Sequence, residues 1–187
     1  MKKFIIPIAI LLFLNACEPK QQTTTEDWKT KIDKRLPILG HRNWILVVDK
    51  AYPEQTTPGI ETINTNEDLL TVLNYVKNGI KNSTHVNAAF YTDKELGFIN
   101  RKQVPTIDGY RDSLNAILGS EKEVIPHDSV FVKIDEATKL FKVLVIKTNQ
   151  IIPYSSVFIR LNCAYWDAKR EKELRDSINI HSLSNGK

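Results

Sequence analysis

The chain has 187 residues, with 26 Lys and Arg against 22 Asp and Glu and a formal net charge of +4. This length suits one domain once a leader is removed. The sequence has no run of like charge and no basic patch interleaved with aromatic residues, which argues against a nucleic acid partner. It also lacks a Gly-rich phosphate loop, a paired-Cys motif and a His-Glu-x-x-His helix, so it predicts neither a nucleotide nor a metal site.

Residues 1–16 are predicted to be a secretory signal peptide. Lys2 and Lys3 precede an apolar run from Phe4 to Leu14, which is the layout of such a signal. The run is too short to cross a bilayer, because a spanning helix needs about 20 apolar residues. Removal of Lys2 and Lys3 with the signal lowers the net charge from +4 to +2, so the basic composition says little about partners.

The junction Leu14-Asn15-Ala16-Cys17 resembles a bacterial lipobox, with a small residue before the cysteine that would accept the lipid. We therefore expect residues 17–26 to be a lipidated Cys17 and a flexible, Gln- and Thr-rich tether. The mature protein would be anchored to a membrane of the cell envelope through that lipid. The alternative is an ordinary secretory signal with an incidental Cys17. The sequence leaves open which membrane, and which of its leaflets, carries the anchor.

Residues 27–187 are predicted to form one α/β domain, a mixed sheet flanked by helices. Trp28 and Ile32 have helical spacing, and Pro37 ends that first helix. The continuous apolar run Trp44–Val48 predicts a strand buried on both faces. Strands then alternate with helices, as in an α/β domain. The later predicted elements are a helix over 67–81 capped by Thr65 or Asn66, a strand over 86–91, helices over 108–118 and 127–139, strands over 141–146 and 157–161, and a helix over 167–178.

Polar residues lie where predicted loops meet strand ends, the usual place for ligand contacts in α/β sheets. His41 precedes the strand Trp44–Val48 and Asp49 follows it. On spacing alone, a surface histidine and a capping aspartate are the favoured interpretation, and alternation along the strand does not decide whether the two side chains touch. His127 could likewise merely cap a helix, and Tyr154 to Ser156 could merely form a turn.

Two segments of the sequence resemble the motifs of a known family. Gly40-His41-Arg42-Asn43 followed by an apolar strand, Asp49, Ala51 and Pro53 is similar to its first motif. Val145-Ile146-Lys147-Thr148-Asn149-Gln150 and Pro153-Tyr154-Ser155-Ser156-Val157 resemble its second. On these motifs the chain resembles the D-ribose pyranase and L-fucose mutarotase family over nearly the whole mature domain.

The resemblance implies interconversion of the ring forms of a free monosaccharide, ribose- or fucose-like, without a cofactor. It implies His41 as the general acid and a ring-shaped homo-oligomer. The substrate contacts that it implies are Asp49, His127, Lys147, Tyr154, Ser155 and Ser156. Ser156 replaces the amide of the family motif and Lys147 replaces an arginine. A sugar-binding lipoprotein without catalysis is therefore the alternative function, and an envelope scaffold is a third.

Overall fold

The computed structural model describes residues 26–184, which form a six-stranded mixed sheet with helices on both faces. The strand order is β2-β5-β1-β6-β3-β4. Strand β6 runs antiparallel to its neighbours β1 and β3, and the other pairs are parallel. Five strands therefore share one carboxyl edge. The strands are β1 (Trp44–Val48), β2 (Ile60–Asn64), β3 (Val86–Asp93), β4 (Lys122–Ile125), β5 (Val143–Lys147) and β6 (Val157–Cys163).

The helices cover the two faces of the sheet unequally. Helices α1 to α3 pack with one apolar cluster, whereas α4 alone packs with the cluster on the opposite face. Helix α5 is largely exposed. No helix within residues 26–184 has the length and apolar character needed to cross a membrane. The helices are α1 (Trp28–Arg35), α2 (Leu69–Lys81), α3 (Ile107–Leu118), α4 (His127–Thr138) and α5 (Ala168–Ser184).

Strand β1 lies at the centre of the core. Ile45 and Val47 pack in the cluster that contains α1 to α3, and Trp44, Leu46 and Val48 pack in the cluster that contains α4. All five side chains are buried, which is why this strand is a continuous apolar run and not an alternating one. The apolar run thereby fixes the position of the strand, but because both faces are apolar it does not by itself fix the register.

The predicted α/β domain with a mixed sheet is confirmed, and so is β1 with its bounds. Strands β2 and β4 were not predicted, because they lie at the two edges of the sheet and carry few buried side chains. The final helix continues to Ser184, beyond the predicted end at 178. The predicted signal peptide, Cys17 and nearly all of the tether lie outside the described residues.

The predicted cap of α2 is wrong. The N-cap is Asp68, whose carboxylate accepts hydrogen bonds from the backbone N–H groups of Leu70 and Thr71 at 2.9 and 3.3 Å. Thr65 instead donates its hydroxyl to the carbonyl of Lys147, and so ties the end of β2 to β5. The helix begins at Leu69, two residues after the predicted start at 67, because the capping carboxylate is at 68.

Candidate functional site

Four polar side chains meet at the carboxyl edge of the parallel strands. Asp49 follows β1, Asp93 ends β3, His127 begins α4 two residues after β4, and Ser156 precedes β6. Parallel pairing of β3 with β4 sets Asp93 opposite Ile125, which brings the start of α4 beside Asp93. This edge is where ligands bind in open α/β sheets, so the four residues form a candidate site.

His127 is held on several sides. Its Nδ1 lies 2.9 Å from Oδ2 of Asp93, and its backbone N–H donates to both carboxylate oxygens of Glu95 at 3.2 and 3.1 Å. Its ring contacts Phe131 and Tyr154 edge-on, with centroids 4.8 and 5.1 Å away. Nε2 has no hydrogen-bond partner among residues 26–184, and the side chain is 36% exposed. The imidazole is therefore fixed in orientation, with one nitrogen available to a ligand.

Asp93 is a buried carboxyl group with an altered acidity. Its side chain is 0% exposed, and burial raises its pKa to about 6, although the hydrogen bond and charge of His127 oppose that rise. The negative charges of Glu95 and Asp49 raise the pKa further. Oδ1 accepts no hydrogen bond within the described part of the chain. The Asp93 carboxyl beside the His127 ring therefore titrates closer to neutral pH than an ordinary aspartate does.

Asp49, directly after β1, and Ser156, directly before β6, are joined by two hydrogen bonds. The Ser156 hydroxyl donates to Oδ2 of Asp49 at 3.0 Å and accepts the Asp49 backbone N–H at 3.2 Å. Oδ1 of Asp49 accepts the N–H of Ala51 at 2.8 Å. The half-buried carboxylate is therefore presented in one orientation at the same edge as His127.

The segment before β6 places Tyr154 on the site and turns Ser155 away from it. Tyr154 has a φ of 57°, an uncommon conformation for a large side chain, and its ring packs against His127. Ser155 is buried, and its hydroxyl donates to the carbonyl of Ile152 at 2.6 Å. Its own carbonyl accepts the Tyr110 hydroxyl at 2.7 Å. The predicted substrate contact by the Ser155 side chain therefore has no support in this arrangement, because its hydroxyl is used to hold the turn.

Neither a protein-family model nor a curated protein sequence matches this chain. Among solved structures, RbsD from Bacillus subtilis complexed with D-ribose superposes with a TM-score of 0.50 and 18% identity, covering 70% of this chain and 90% of that one. This chain has the RbsD fold. The likeness shows the fold alone, because the identity is low.

Two further solved structures are similar to this chain at lower scores. FucU from Bifidobacterium longum has a TM-score of 0.48 at 11% identity, covering 70% of this chain and 92% of that one. The fucose mutarotase from Streptococcus pneumoniae in complex with L-fucose has a TM-score of 0.45 at 13% identity, covering 68% of this chain and 87% of that one.

Within the RbsD fold, Lys147 lines a cleft beside the candidate site. The cleft has a volume of about 350 Å³ and contains polar side chains of the loop after β1 and of the ends of β2 and β5. The Lys147 amine donates to the carbonyl of Tyr52 at 2.7 Å, and the Tyr52 ring stacks on Phe131 beside His127. Lys147 therefore stabilises the loop that follows β1. A sugar would have to enter this cleft to make the predicted contact with Lys147.

His41 lies at the other end of the sheet. His41 precedes β1 and Asp49 follows β1. The strand between them therefore spans roughly 16 Å, at about 3.3 Å per residue. His41 is exposed. Partial desolvation, followed by the positive charges of Arg42 and Arg160, lowers its pKa. One chain therefore does not bring His41 to the other predicted site residues, whereas it does bring Asp49, His127, Tyr154 and Ser156 together.

Sequence reasoning missed Asp93 and Glu95. The predicted strand over 86–91 stops short of Asp93, which occupies the final position of β3. Extending that strand by two residues would have placed a carboxylate at the same edge as Asp49. Glu95 lies in a short 3₁₀ turn directly after β3, and no periodic pattern marks such a turn.

Proposed function

We propose that this protein binds a monosaccharide at the carboxyl edge of its sheet and interconverts the ring forms of that sugar. The observation that carries the proposal is His127, whose Nδ1 is fixed by Asp93 and whose Nε2 is left without a partner among the described residues. A second carboxylate, Asp49, lies close enough to influence the pKa of Asp93. The RbsD fold, solved elsewhere with D-ribose bound, supports a sugar as the ligand.

The reaction needs a proton donor and a proton acceptor. As the bond between C1 and the ring oxygen breaks, the acid protonates the ring oxygen and the base removes the proton of the anomeric hydroxyl. The product is the open-chain aldehyde. Reclosure on the other face, or through another hydroxyl, reverses both transfers and gives the other ring form. Protons and electrons balance without a cofactor, and each positioned acid or base typically contributes about 10²–10⁴-fold.

In this chain His127 suits one of the two roles. When Asp93 is ionised it accepts the proton of Nδ1, which leaves the lone pair on Nε2 and makes the imidazole a base. A protonated imidazole is the corresponding acid. Asp49 accepts hydrogen bonds from sugar hydroxyls or takes the second proton, and Tyr154 supplies an apolar wall beside the ring nitrogen. Ser156 keeps the Asp49 carboxylate in place.

The predicted general acid, His41, fits this proposal in one arrangement. Because it lies at the amino edge of its own sheet, it would serve a site on a second copy of the chain. A head-to-tail contact that joins the amino edge of one copy to the carboxyl edge of the next closes into a ring when its rotation permits. We propose that assembly as the context in which His41 acts.

Saturation-transfer NMR of anomeric exchange tests the proposal with ribose, fucose, galactose and glucose. We expect the protein to accelerate exchange of at least one sugar, and His127→Ala to remove about 10²-fold or more of that acceleration. Asp176→Ala is the control, since Asp176 is an exposed residue of α5 paired with Lys172. Unchanged exchange in His127→Ala would contradict the assignment of His127.

Mixing two inactive variants tests the role of His41. If sites are shared between copies, a mixture of His41→Ala and His127→Ala regains activity, because some sites then contain both histidines. Full activity of His41→Ala alone would remove His41 from the mechanism. If His41→Ala is inactive and the mixture is too, both residues must come from the same chain, which the distance along β1 opposes.

Sugar binding without catalysis is the second candidate function. It is favoured by the state of Asp49, since each of its carboxylate oxygens already accepts a hydrogen bond from the protein. Fewer of its lone pairs are then free to accept a proton from the sugar. Sugar binding measured by calorimetry, together with unaccelerated anomeric exchange, would select this function.

A further inference from the structure

A second cavity, distinct from the carboxyl-edge site, opens between the sheet and the last turns of α4. Its volume is about 260 Å³. Only α4 packs on this face among the described helices, so the area near the amino ends of the strands is not fully covered. The lining residues are Arg42, Trp44, Tyr91, Lys133, Glu136, Ala137, Phe141 and Arg160. We name it the amino-edge pocket.

Aromatic rings form the floor and one wall of the amino-edge pocket. Trp44 and Tyr91 are both buried, with ring centroids 5.4 Å apart at a tilt of 32°. Phe141 contributes a third ring. Flat apolar surfaces of this kind bind the ring or carbon skeleton of a small organic molecule.

Three cations surround this aromatic floor against one carboxylate, that of Glu136. Arg42 lies 5.8 Å from the centroid of Phe141, and Lys133 lies 5.9 Å from that of Tyr91. Arg160 pairs in register with Trp44 and is half-buried. Within residues 26–184, none of the three cations forms an ion pair with a carboxylate. Their charge is therefore available to an anion that enters the pocket.

Arg42 is held in an unfavourable backbone conformation. Its φ is 74°, a region that non-glycine residues rarely occupy. The turn is fixed by the bond from Arg42 N–H to the carbonyl of Leu161 at 2.8 Å, and by two bonds between Gly40 and Asn43 at 3.0 and 2.7 Å. Strain of this kind persists where surrounding contacts impose it, and it concentrates at ligand clamps. The turn fixes the backbone from which Arg42 reaches the pocket.

We propose that the amino-edge pocket binds a small organic phosphate, with Arg42, Arg160 and Lys133 on the phosphate and the aromatic rings on its organic part. Guanidinium groups bind phosphate oxygens through paired, charge-assisted hydrogen bonds. The volume admits a small molecule and not a polymer. Within one chain α4 separates this pocket from His127, so the phosphate and the sugar at that chain's carboxyl edge contact different residues.

His41 provides a reporter for the charge of the pocket. The fields of Arg42 and Arg160 contribute to lowering its pKa, so an anion bound between those arginines offsets them and raises that pKa. A neutral sugar has no charge with which to do so. The His41 imidazole therefore titrates at higher pH when the pocket holds a phosphate.

Calorimetry and histidine NMR on the full-length chain test the proposal with ribose 5-phosphate, inorganic phosphate and ribose. We expect ribose 5-phosphate to bind at least tenfold more tightly than inorganic phosphate and to raise the pKa of His41 more than ribose does. No binding of ribose 5-phosphate overturns the proposal. Equal affinity for the two phosphates overturns the assignment of an organic ligand.

Variants locate the bound phosphate. Arg160→Gln should weaken ribose 5-phosphate binding roughly ten- to hundredfold, which is the usual effect of losing a charged hydrogen bond. Arg101→Gln, an exposed arginine paired with Asp108, is the control and should leave affinity unchanged. His127→Ala should also leave it unchanged, whether or not the sugar proposal holds. Loss of phosphate binding in His127→Ala, with Arg160→Gln unaffected, would place the ligand at the carboxyl edge and overturn the inference.

Discussion

Replacement of Asp93 by Asn is expected to change how the stability of the protein depends on pH. The folded protein holds the Asp93 carboxyl at a pKa of about 6, above its usual range, chiefly because the side chain is buried. In the unfolded chain this carboxyl titrates near ~3.9. Between these two values the folded state binds more protons than the unfolded state, so the contribution of Asp93 to stability falls as pH rises.

The magnitude follows from the shift in pKa. A displacement of about two units corresponds to about 3 kcal/mol, since each unit is about 1.4 kcal/mol. The side chain is fully buried, so solvent screening does not reduce this figure much. The amide introduced by Asp93→Asn keeps an oxygen for Nδ1 of His127 and has no charge to desolvate. The free energy of unfolding of Asp93→Asn, minus that of the wild type, should therefore grow by about 2 kcal/mol between about pH 4 and pH 7, most of the full effect.

Urea unfolding at half-unit intervals from about pH 4 to pH 8 measures this difference. Subtraction of the wild-type curve removes the titration of distant groups. Asp176→Asn serves as the control, because Asp176 is an exposed residue of α5 paired with Lys172, and exposed pairs contribute about 0–1 kcal/mol. A difference between Asp93→Asn and the wild type that stays flat across the range would refute burial as the cause of the altered pKa.

Three other predictions concern packing and the anchor. Gly59→Ala should destabilise the fold by about 1–3 kcal/mol, because a Cβ there would lie 2.9 Å from the carbonyl oxygen of Thr138. A Cβ at Gly109 meets nothing within 4 Å, so Gly109→Ala should stabilise α3 by about 0.5–1 kcal/mol. Thermal unfolding of the two variants measures both effects. Phe158→Ala, in the core beside α4, should cost about 3–5 kcal/mol in urea unfolding, and a loss below about 1 kcal/mol would contradict its burial. We propose that Cys17 carries the lipid, so Cys17→Ser should move the protein from the membrane fraction to the soluble fraction of a bacterial host, and retention at the membrane would exclude that anchor.

The sequence predicts the centre of the fold better than its edges. Trp44–Val48 could be located from composition because both faces of β1 are buried. The edge strands β2 and β4 leave most of their side chains exposed, so their pairing rests on backbone hydrogen bonds that any residue can make. Periodicity carries no signal for such strands.

The candidate site shows the same limit. Asp93 and His127 come together because β3 pairs with β4, a long-range contact that no spacing within one segment encodes. The separation of His41 from Asp49 became clear only from the structure, in which the five residues of β1 lie extended between them. The motif resemblance named both residues but not the distance between them.

Helix α4 contributes side chains to both the candidate site and the amino-edge pocket. Its first residue is His127, and its later turns supply Lys133, Glu136 and Ala137 to the amino-edge pocket. Twelve residues of helix span about 18 Å. One element therefore sets the position of the imidazole at one edge of the sheet and of three pocket side chains at the other. A substitution that shifts α4 against the sheet would displace both groups of side chains together.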